Sequence, residues 1–452
     1  MSKQFFRNHS IIKFILIYAC SPLLLFAFES NSAVAADSVL DDVIRVDSIV
    51  IKGNDITQDF IILRELTFKK GDVISKSDIE YNRERIFSLN LFSKVEIYPK
   101  ETNGYSIVFI DVNESWYIYP IPFISKSNGA KKYSYGLHLT YKNFRGRNEV
   151  LRSTINFGYD PFFTLLYDNP AFQYDENIGI SFALAYQKIS NKSNAAKLLY
   201  GGDFNNIFYS TALSLSKRLN QFNKIYVAFG FDYVTFPSNN IFGISASSSS
   251  IDRTVWLSSG YEFDSRDLKQ FSQEGIYSSI QFTHKGFGID NISYNILRIE
   301  FQEHKNIYGD FIGRFKIATR STFGRIIPYY DYSYLGYSEY VRGHINDYKE
   351  GYNSILTSVE FSYPLLKEWD LSLKIPLLPR KLTSARIGIY ITTFADAGAT
   401  YNYLDKIKFN DFYSGYGLGI TLLILPYNAI RFEYAVNELG KGEFIIGTGF
   451  AF

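Results

Sequence analysis

The chain has 452 residues, of which 47 are Lys or Arg and 45 are Asp or Glu, so its formal net charge is only +2. Proteins that bind nucleic acid normally carry a clear basic excess, and this near balance argues against that class. The single cysteine, Cys20, lies in an apolar N-terminal stretch. Once that stretch is removed, the remaining chain can form neither disulfides nor thiolate metal sites.

The N-terminus has the features of a secretory signal peptide. Lys3 and Arg7 give a basic start, residues 11–28 are mostly apolar, and residues 33–35 supply small side chains at the spacing that signal peptidase needs. We therefore predict that residues 1–36 are cleaved. A retained membrane anchor and a lipoprotein anchor are the alternatives.

Residues 41–114 predict a small α/β domain with the element order β-α-α-β-β. The first strand is expected over residues 43–53 and a short helix over residues 56–66. Ser75 and Asp78 have the spacing of a capping box, which predicts that a second helix begins there. The domain ends in a predicted hairpin. Its two strands are residues 93–99 and 105–114, and the turn between them contains Asn103 and Gly104.

From residue 116 onward the sequence alternates apolar and polar side chains, as in Phe432 and Tyr434 against Arg431 and Glu433. Aromatic residues make up 18% of the chain. Beyond the N-terminus, no segment approaches the ~18 consecutive apolar residues of a membrane helix. These features together predict a transmembrane antiparallel β-barrel of about 16 strands over residues 116–452.

The first domain resembles a polypeptide-transport-associated (POTRA) domain. The resemblance is carried by residues 49–54, 64–72 and 89–95, which read IVIKGN, RELTFKKGD and LNLFSKV. It implies that residues 41–114 lie in the periplasm and receive unfolded outer-membrane or secreted polypeptides.

The second half resembles the BamA/TamA-type outer-membrane assembly and translocation superfamily. The resemblance is carried by YKNFRGRNEVL (141–151), LYDNPAF (166–172), YEFDSRDLKQFSQEG (261–275), YVRGH (340–344), SVEFSYPL (358–365), FADAG (394–398) and the terminal GTGFAF. It implies a non-enzymatic factor of the outer membrane that inserts proteins or translocates polypeptides, in contact with lipid and with accessory periplasmic or lipoprotein subunits. The sequence departs from the family in having one POTRA domain rather than several, and in having His344 where Phe or Tyr is usual.

The family's loop motif corresponds here to Val341, Arg342, Gly343 and His344. In the family this loop folds back into the barrel, and its arginine pairs with acidic residues of the inner wall. Glu360 and Asp396 lie at strand positions that the alternation turns inward. The resemblance therefore implies that Arg342 bridges these two carboxylates, which its planar guanidinium suits better than a lysine would. A solvated loop arginine is the alternative.

The residues of the first and last barrel strands predict that the seam, where these two strands meet to close the barrel, is weakly paired. The first strand is predicted over residues 116–125 and contains Pro120 and Pro122, which lack the N–H donor that a sheet needs. The alternative is that both prolines lie just before this strand. The last strand, residues 443–452, contains Gly447 and Gly449. In the family such a seam is taken to be a lateral gate that pairs with client strands. The C-terminal Phe450 and Phe452 resemble the aromatic end signal of outer-membrane barrels.

The sequence contains no recognisable catalytic or metal-binding motif. It has no G-x-S-x-G elbow, no H-E-x-x-H and no phosphate-binding loop. The histidines at positions 138, 284, 304 and 344 are too scattered to suggest a metal site. We expect no enzyme activity and no cofactor. The alternatives to an assembly factor are a polypeptide secretion pore of the two-partner type and a passive outer-membrane channel.

Overall fold

A computed structural model describes residues 43–126, 132–237, 244–336, 339–402 and 407–448. The predicted signal peptide (1–36), and with it Cys20, lies outside the described residues. The same holds for Gly449, Phe450 and Phe452 at the predicted C-terminal strand and end signal.

An N-terminal domain of two helices and five strands begins the described chain. In order, its elements are β1 (Ile44–Arg45), β2 (Ser48–Lys52), α1 (Asp59–Leu63), β3 (Val73–Ile74), α2 (Lys76–Phe87), β4 (Phe92–Thr102) and β5 (Tyr105–Glu114). The central strand β5 runs parallel to β2 and antiparallel to β4. Apart from the extra two-stranded ladder of β1 and β3, the domain has the predicted β-α-α-β-β order.

Side chains at the helix ends explain where the two helices begin. The Oγ atom of Ser75 accepts the Asp78 N–H (3.2 Å), and the Asp78 carboxylate accepts the Ser75 N–H (2.8 Å), so the predicted capping box is confirmed. Helix α1 begins later than predicted. The Glu114 carboxylate accepts the backbone N–H groups of Ile56 and Thr57 (3.0 and 2.7 Å), and this holds the two residues outside the helix.

The second part of the chain is a single antiparallel sheet of 16 strands, as predicted. Its strands are β6 (Ile118–Lys126), β7 (Tyr133–Phe144), β8 (Glu149–Gly158), β9 (Phe162–Gln173), β10 (Ile178–Ser190), β11 (Asn205–Arg218), β12 (Asn223–Thr235), β13 (Ile251–Asp264), β14 (Gly275–Lys285), β15 (Tyr294–Tyr308), β16 (Phe311–Gly324), β19 (Asn353–Ser372), β20 (Ser384–Tyr401), β21 (Tyr413–Leu425), β22 (Asn428–Asn437) and β23 (Gly442–Thr448). Each strand pairs with the next one along the chain within this set.

The sheet curls so that its first strand approaches its last hairpins, which gives a barrel. Tyr119 of β6 lies edge-on to Tyr427 in the turn after β21, with ring centroids 6.2 Å apart. Just before β6, the Trp116 N–H donates to the Lys381 carbonyl (3.1 Å). Lys381 belongs to a short helix, α4 (Arg380–Thr383), in the turn between β19 and β20.

The two faces of the barrel wall differ as the alternation predicts. On β22, Phe432 and Tyr434 are exposed on the outside, whereas Arg431 and Glu433 are buried inside. An apolar outer band of this kind suits lipid. In the part of the chain that the structure describes, no helix is both long and apolar enough to cross a bilayer.

Long loops lie at one end of the barrel and mostly short turns at the other. One long loop connects β16 to β19 over residues 325–352 and contains a small hairpin of β17 (Ser333–Leu335) and β18 (Lys349–Gly351). Another joins β10 to β11 and carries α3 (Asn194–Tyr200). Aromatic side chains of the two loops pack together, with the Phe204 and Tyr329 rings 5.8 Å apart.

Candidate functional site

The loop between β16 and β19 returns into the barrel, where Arg342 is buried against the inner wall. Its Nε and Nη2 atoms donate to the two carboxylate oxygens of Asp396, each at 2.7 Å. Its Nη1 atom donates to Glu360 (3.0 Å). The guanidinium also lies 3.6 Å above the Phe394 ring. The structure thus brings Arg342, Glu360 and Asp396 together in the arrangement that the sequence predicts, with a two-pronged bond to Asp396.

A third carboxylate, Glu433, completes this arrangement and was missed from the sequence. Its Oε1 atom lies 3.0 Å from Arg342 Nη1 and 3.4 Å from Arg431 Nη1. Glu433 alternates with exposed Phe432 and Tyr434, so its inward orientation could have been read from the strand. Its distance of 91 positions from Arg342 left no local signal for the pairing.

Buried charges around Arg342 balance one another. Arg314 on β16 lies 3.1 Å from the second oxygen of Glu360, and the two side chains are almost completely buried. The resulting charge cluster has three arginines and three carboxylates: Arg314, Arg342, Arg431, Glu360, Asp396 and Glu433. Buried charges are tolerated when each is paired, and removal of one partner is costly.

Two glycines allow the loop to approach the wall this closely. Gly343 has a φ of +96°, a region that other residues rarely adopt. A Cβ atom on Gly415 of β21 would lie 1.7 Å from the carbonyl oxygen of Arg342. Val341 packs beside them into a buried cluster with Leu335 and Leu356.

His344, the residue that departs from the family pattern, is held on both sides. Its Nδ1 lies 2.8 Å from Asp347 and its Nε2 lies 2.7 Å from Glu438. Its ring stacks on Tyr413, with centroids 4.1 Å apart and planes inclined by 9°. Burial alone would lower the pKa of His344, but the hydrogen bonds to Glu438 and Asp347 outweigh burial and raise this pKa above its usual value.

Because protonated His344 is paired with Asp347 and Glu438, we expect the loop to be held less tightly at alkaline pH. A histidine with a raised folded pKa stabilises the bound loop fully below its unfolded pKa of about 6.5 and loses that contribution as the pH rises through the folded value. We expect hydrogen exchange of residues 340–348, corrected for the intrinsic rate, to increase as the pH rises from about 6 through the raised pKa of His344.

The variant His344→Phe is the control, because a phenyl ring retains the stacking on Tyr413 but cannot titrate. Its loop exchange should not depend on pH in this range. Equal pH dependence in both proteins would contradict a role for His344 charge.

At the opposite end, the N-terminal domain covers the barrel mouth through buried ion pairs. Glu65 at the end of α1 receives two bonds from Arg218 of β11 (2.5 and 2.8 Å) and one from Arg85 of α2 (3.1 Å). Burial alone would raise the pKa of Glu65, but Arg218, Arg85 and Arg64 together lower this pKa to about 2. The carboxylate therefore stays charged, and the domain is anchored to the barrel wall.

Further polar contacts extend around the mouth. Glu84 of α2 lies 2.8 Å from Arg386 of β20. Glu114 lies 3.2 Å from Lys381 in the β19–β20 turn, and the Gln221 side chain donates to the Leu66 carbonyl (3.0 Å). These contacts reach two turns and the start of β20, on different sides of the mouth, so the domain spans the opening.

One long turn, residues 265–274, connects this domain to the charge cluster. On one side, the Ser88 hydroxyl donates to the Asp267 carbonyl (3.1 Å) and accepts the Lys269 N–H (2.9 Å). On the other side, Arg314 donates to the Ser272 carbonyl (3.1 Å). Arg314 also binds Glu360, so a continuous chain of polar contacts joins the end of α2 to Arg342.

The seam between the first and last strands differs from the rest of the wall. Every other pair of neighbouring barrel strands is paired over at least seven residues. The described parts of the two end strands, residues 118–126 and 442–448, do not pair with each other. Pro120 and Pro122 lie inside β6, opposite Leu139 and Leu137 of β7.

The loop that carries Arg342 also contacts the last strand. The Glu443 carboxylate of β23 accepts the Ile345 N–H and a bond from the Asn346 side chain, both at 3.2 Å. Ile345 packs on Ile445 and Ala435. In β23, Gly447 lies opposite Arg431. The loop therefore supports β23 from inside the barrel.

The described residues contain no group of three or more His, Cys, Asp or Glu side chains arranged to hold a metal ion. The buried charges described above are paired with one another.

Two family models match the chain, one for each part of the fold. The model described as "POTRA: Surface antigen variable number repeat" matches residues 44–115, and the model described as "Omp85 superfamily domain" matches residues 123–452. No curated protein sequence matches the chain.

Solved structures share the fold at low sequence identity. BamA from Haemophilus ducreyi lacking POTRA domains 1–3 is 17% identical, with a TM-score of 0.52 over 90% of this chain and 84% of that one. CdiB from Acinetobacter baumannii is 14% identical, with a TM-score of 0.51 over 89% and 73%. CdiB from Escherichia coli is 13% identical, with a TM-score of 0.54 over 89% and 75%. These similarities concern the fold alone.

Proposed function

Because the chain belongs to the Omp85 superfamily of outer-membrane assembly and translocation proteins, we propose that it inserts client polypeptides into the outer membrane through its barrel seam. In this proposal the POTRA domain receives the client in the periplasm, and the edges of β6 and β23 pair with client strands. Unfolded outer-membrane or secreted polypeptides are the clients, and lipid and accessory periplasmic or lipoprotein subunits are the other partners.

The observation that carries this proposal is the absence of pairing between the described parts of β6 and β23. N–H groups of alternate residues in a strand point to the same edge, so Pro120 and Pro122 remove donors from one edge only. Pairing with β7 runs without interruption over residues 118–126, which favours the seam edge. In a bilayer an unpaired edge has no water to bind, and a client strand could satisfy it.

Structural elements at both ends of the barrel interior also favour a lateral route. The loop held by Arg342 crosses the interior, and the POTRA domain covers the opposite mouth. A polypeptide that passed along the barrel axis would have to displace both, each at the cost of buried ion pairs. A seam whose described strands are not joined by ladder hydrogen bonds offers less resistance.

The barrel's connections support the proposed orientation. Outer-membrane barrels have short turns in the periplasm and long loops outside. The POTRA domain contacts the end with the short turns, such as residues 145–148 and 219–222, and the loop of Arg342 enters from the other end. Strand β2 forms an open edge of the described POTRA sheet, which a client could extend by strand addition.

Depletion of the protein from the cells that make it should lower the amounts of folded barrel proteins in the outer membrane. The reason is that client barrels would lose the edge on which they are assembled. Quantitative proteomics of outer-membrane fractions measures this.

Other patterns of loss would support the alternatives. Loss of one secreted polypeptide, with barrel proteins unchanged, would support a two-partner-type secretion pore, a function that the fold similarity to CdiB leaves open. No change in either class would support a passive channel. Re-expression of the intact protein is the control.

A further inference from the structure

A cavity of about 330 Å³ opens at the long-loop end of the barrel, away from the charge cluster and the seam. It lies between the β10–β11 loop and the hairpin of β17 and β18. Residues 187–194 and Lys349 line one part of it, and the rest is lined by five aromatic rings and one carboxylate: Phe208, Tyr329, Tyr330, Tyr334, Tyr348 and Glu350. This volume is within the range of small-ligand pockets.

Most of the tyrosine hydroxyl groups are already used by the protein. The Tyr330 hydroxyl donates to Asp252 (2.7 Å), and the Tyr334 hydroxyl donates to the Tyr329 carbonyl (2.7 Å). The Tyr329 hydroxyl accepts a bond from Asn206. Since these groups are engaged, the three rings offer a ligand mainly their π surface and carbon edges.

Glu350 gives the cavity one polar group that the protein does not satisfy. One oxygen of this carboxylate accepts the Ala195 N–H at the start of α3 (2.7 Å). The other, Oε2, is buried and has no hydrogen-bond partner among the described residues. A buried carboxylate without a cationic partner is costly, and a cation in the cavity would lower that cost through the attraction between the two charges.

The two lysines that line the cavity do not neutralise this oxygen. The Lys192 ammonium binds the Asp160 carboxylate and the Tyr159 hydroxyl, each at 3.2 Å. The Lys349 ammonium donates to the Asp411 carbonyl (2.7 Å) and lies 3.8 Å from the Tyr413 ring centroid. The Lys192 charge is therefore paired with a carboxylate, and the Lys349 ammonium is held by a carbonyl and a ring rather than by Glu350.

We propose that this cavity binds a small organic cation, an ammonium group on an aliphatic body, between the tyrosine rings and Glu350. Aromatic faces attract cations through the ring quadrupole, and cages of such rings bind quaternary ammonium groups.

The test compares choline with 3,3-dimethylbutan-1-ol, which has the same shape but no charge. The full-length protein is used in a maltoside detergent, because amine-oxide and phosphocholine detergents carry competing ammonium groups. We expect choline to bind in calorimetry or ligand-observed NMR, and the neutral analogue to bind roughly tenfold more weakly or not at all. Equal binding of the two, or no binding of choline, would overturn the proposal.

Variants locate the site. Glu350→Gln keeps the oxygen that accepts the Ala195 N–H but removes the charge, so it should abolish the preference for choline. Tyr348→Leu, at a ring that is 41% exposed, should weaken choline binding and provides a second variant if Glu350→Gln does not fold. Glu339→Gln makes the same chemical change in the same loop outside this cavity and should bind choline normally. Unchanged choline binding in the folded Glu350→Gln or Tyr348→Leu protein would refute the assignment.

Discussion

Replacing Arg342 with alanine should free the loop from the barrel wall and abolish client insertion. The change leaves Glu360, Asp396 and Glu433 facing only two arginines, so one buried negative charge loses its partner. Removal of one member of a buried ion pair costs about 3 kcal/mol or more. Hydrogen exchange of residues 339–348 should rise strongly, and insertion of a barrel client into liposomes should fall to background.

One variant separates the charge of Arg342 from the shape of its side chain, and a second variant serves as the control. Arg342→Lys keeps the charge but cannot make the two-pronged bond to Asp396, so it should restore activity only in part. Arg325→Ala removes an exposed arginine from the same loop and should have little effect. A double-mutant cycle with Asp396→Asn tests the pairing directly, and an absence of coupling energy would refute it.

A disulfide across the seam should stop activity under oxidising conditions and restore it on reduction. Cysteine pairs would join positions 121–124 of β6 to positions 444–448 of β23, and the oxidised protein could no longer offer a free strand edge to a client. The background is clean, since the only cysteine, Cys20, lies in the predicted signal peptide. The measurement is client insertion into liposomes before and after reduction.

The matched control joins two strands that are already paired. Tyr135 and Phe157 face each other across β7 and β8, with ring centroids 6.0 Å apart, and a cysteine pair there should leave activity unchanged. Full activity of the protein crosslinked at the seam would exclude lateral opening and favour transport along the barrel axis.

The sequence predicts features that depend on periodicity and fails for contacts between distant segments. The alternation of Phe432 and Tyr434 with Arg431 and Glu433 was enough to orient β22, and sixteen such strands define the sheet. Glu360 and Asp396 were placed inward by the same rule. The family resemblance was also needed, because alternation alone does not say which loop arginine they meet.

The docking of the POTRA domain onto the barrel could not be predicted from alternation. Glu65 and Arg218 are separated by 153 positions and belong to a helix end and a strand end, so neither spacing nor alternation relates them. The cavity beside Glu350 is formed in the same way, by loops that come together only in the folded barrel. Contacts of this kind depend on how separate elements pack, and a single sequence carries no direct record of that.

The charge cluster also restricts how this protein can change by descent. Three buried arginines and three buried carboxylates cancel, so a mutation at any one of the six positions leaves its partners unbalanced before a compensating mutation can arise. A lineage would have to cross a poorly functional intermediate to exchange an arginine–carboxylate pair for apolar residues. Gly415 is restricted even more strictly, because any side chain at this position would collide with the Arg342 carbonyl. The loop and the wall that receives it should therefore be inherited as one unit, even where the lipid-facing surface diverges freely.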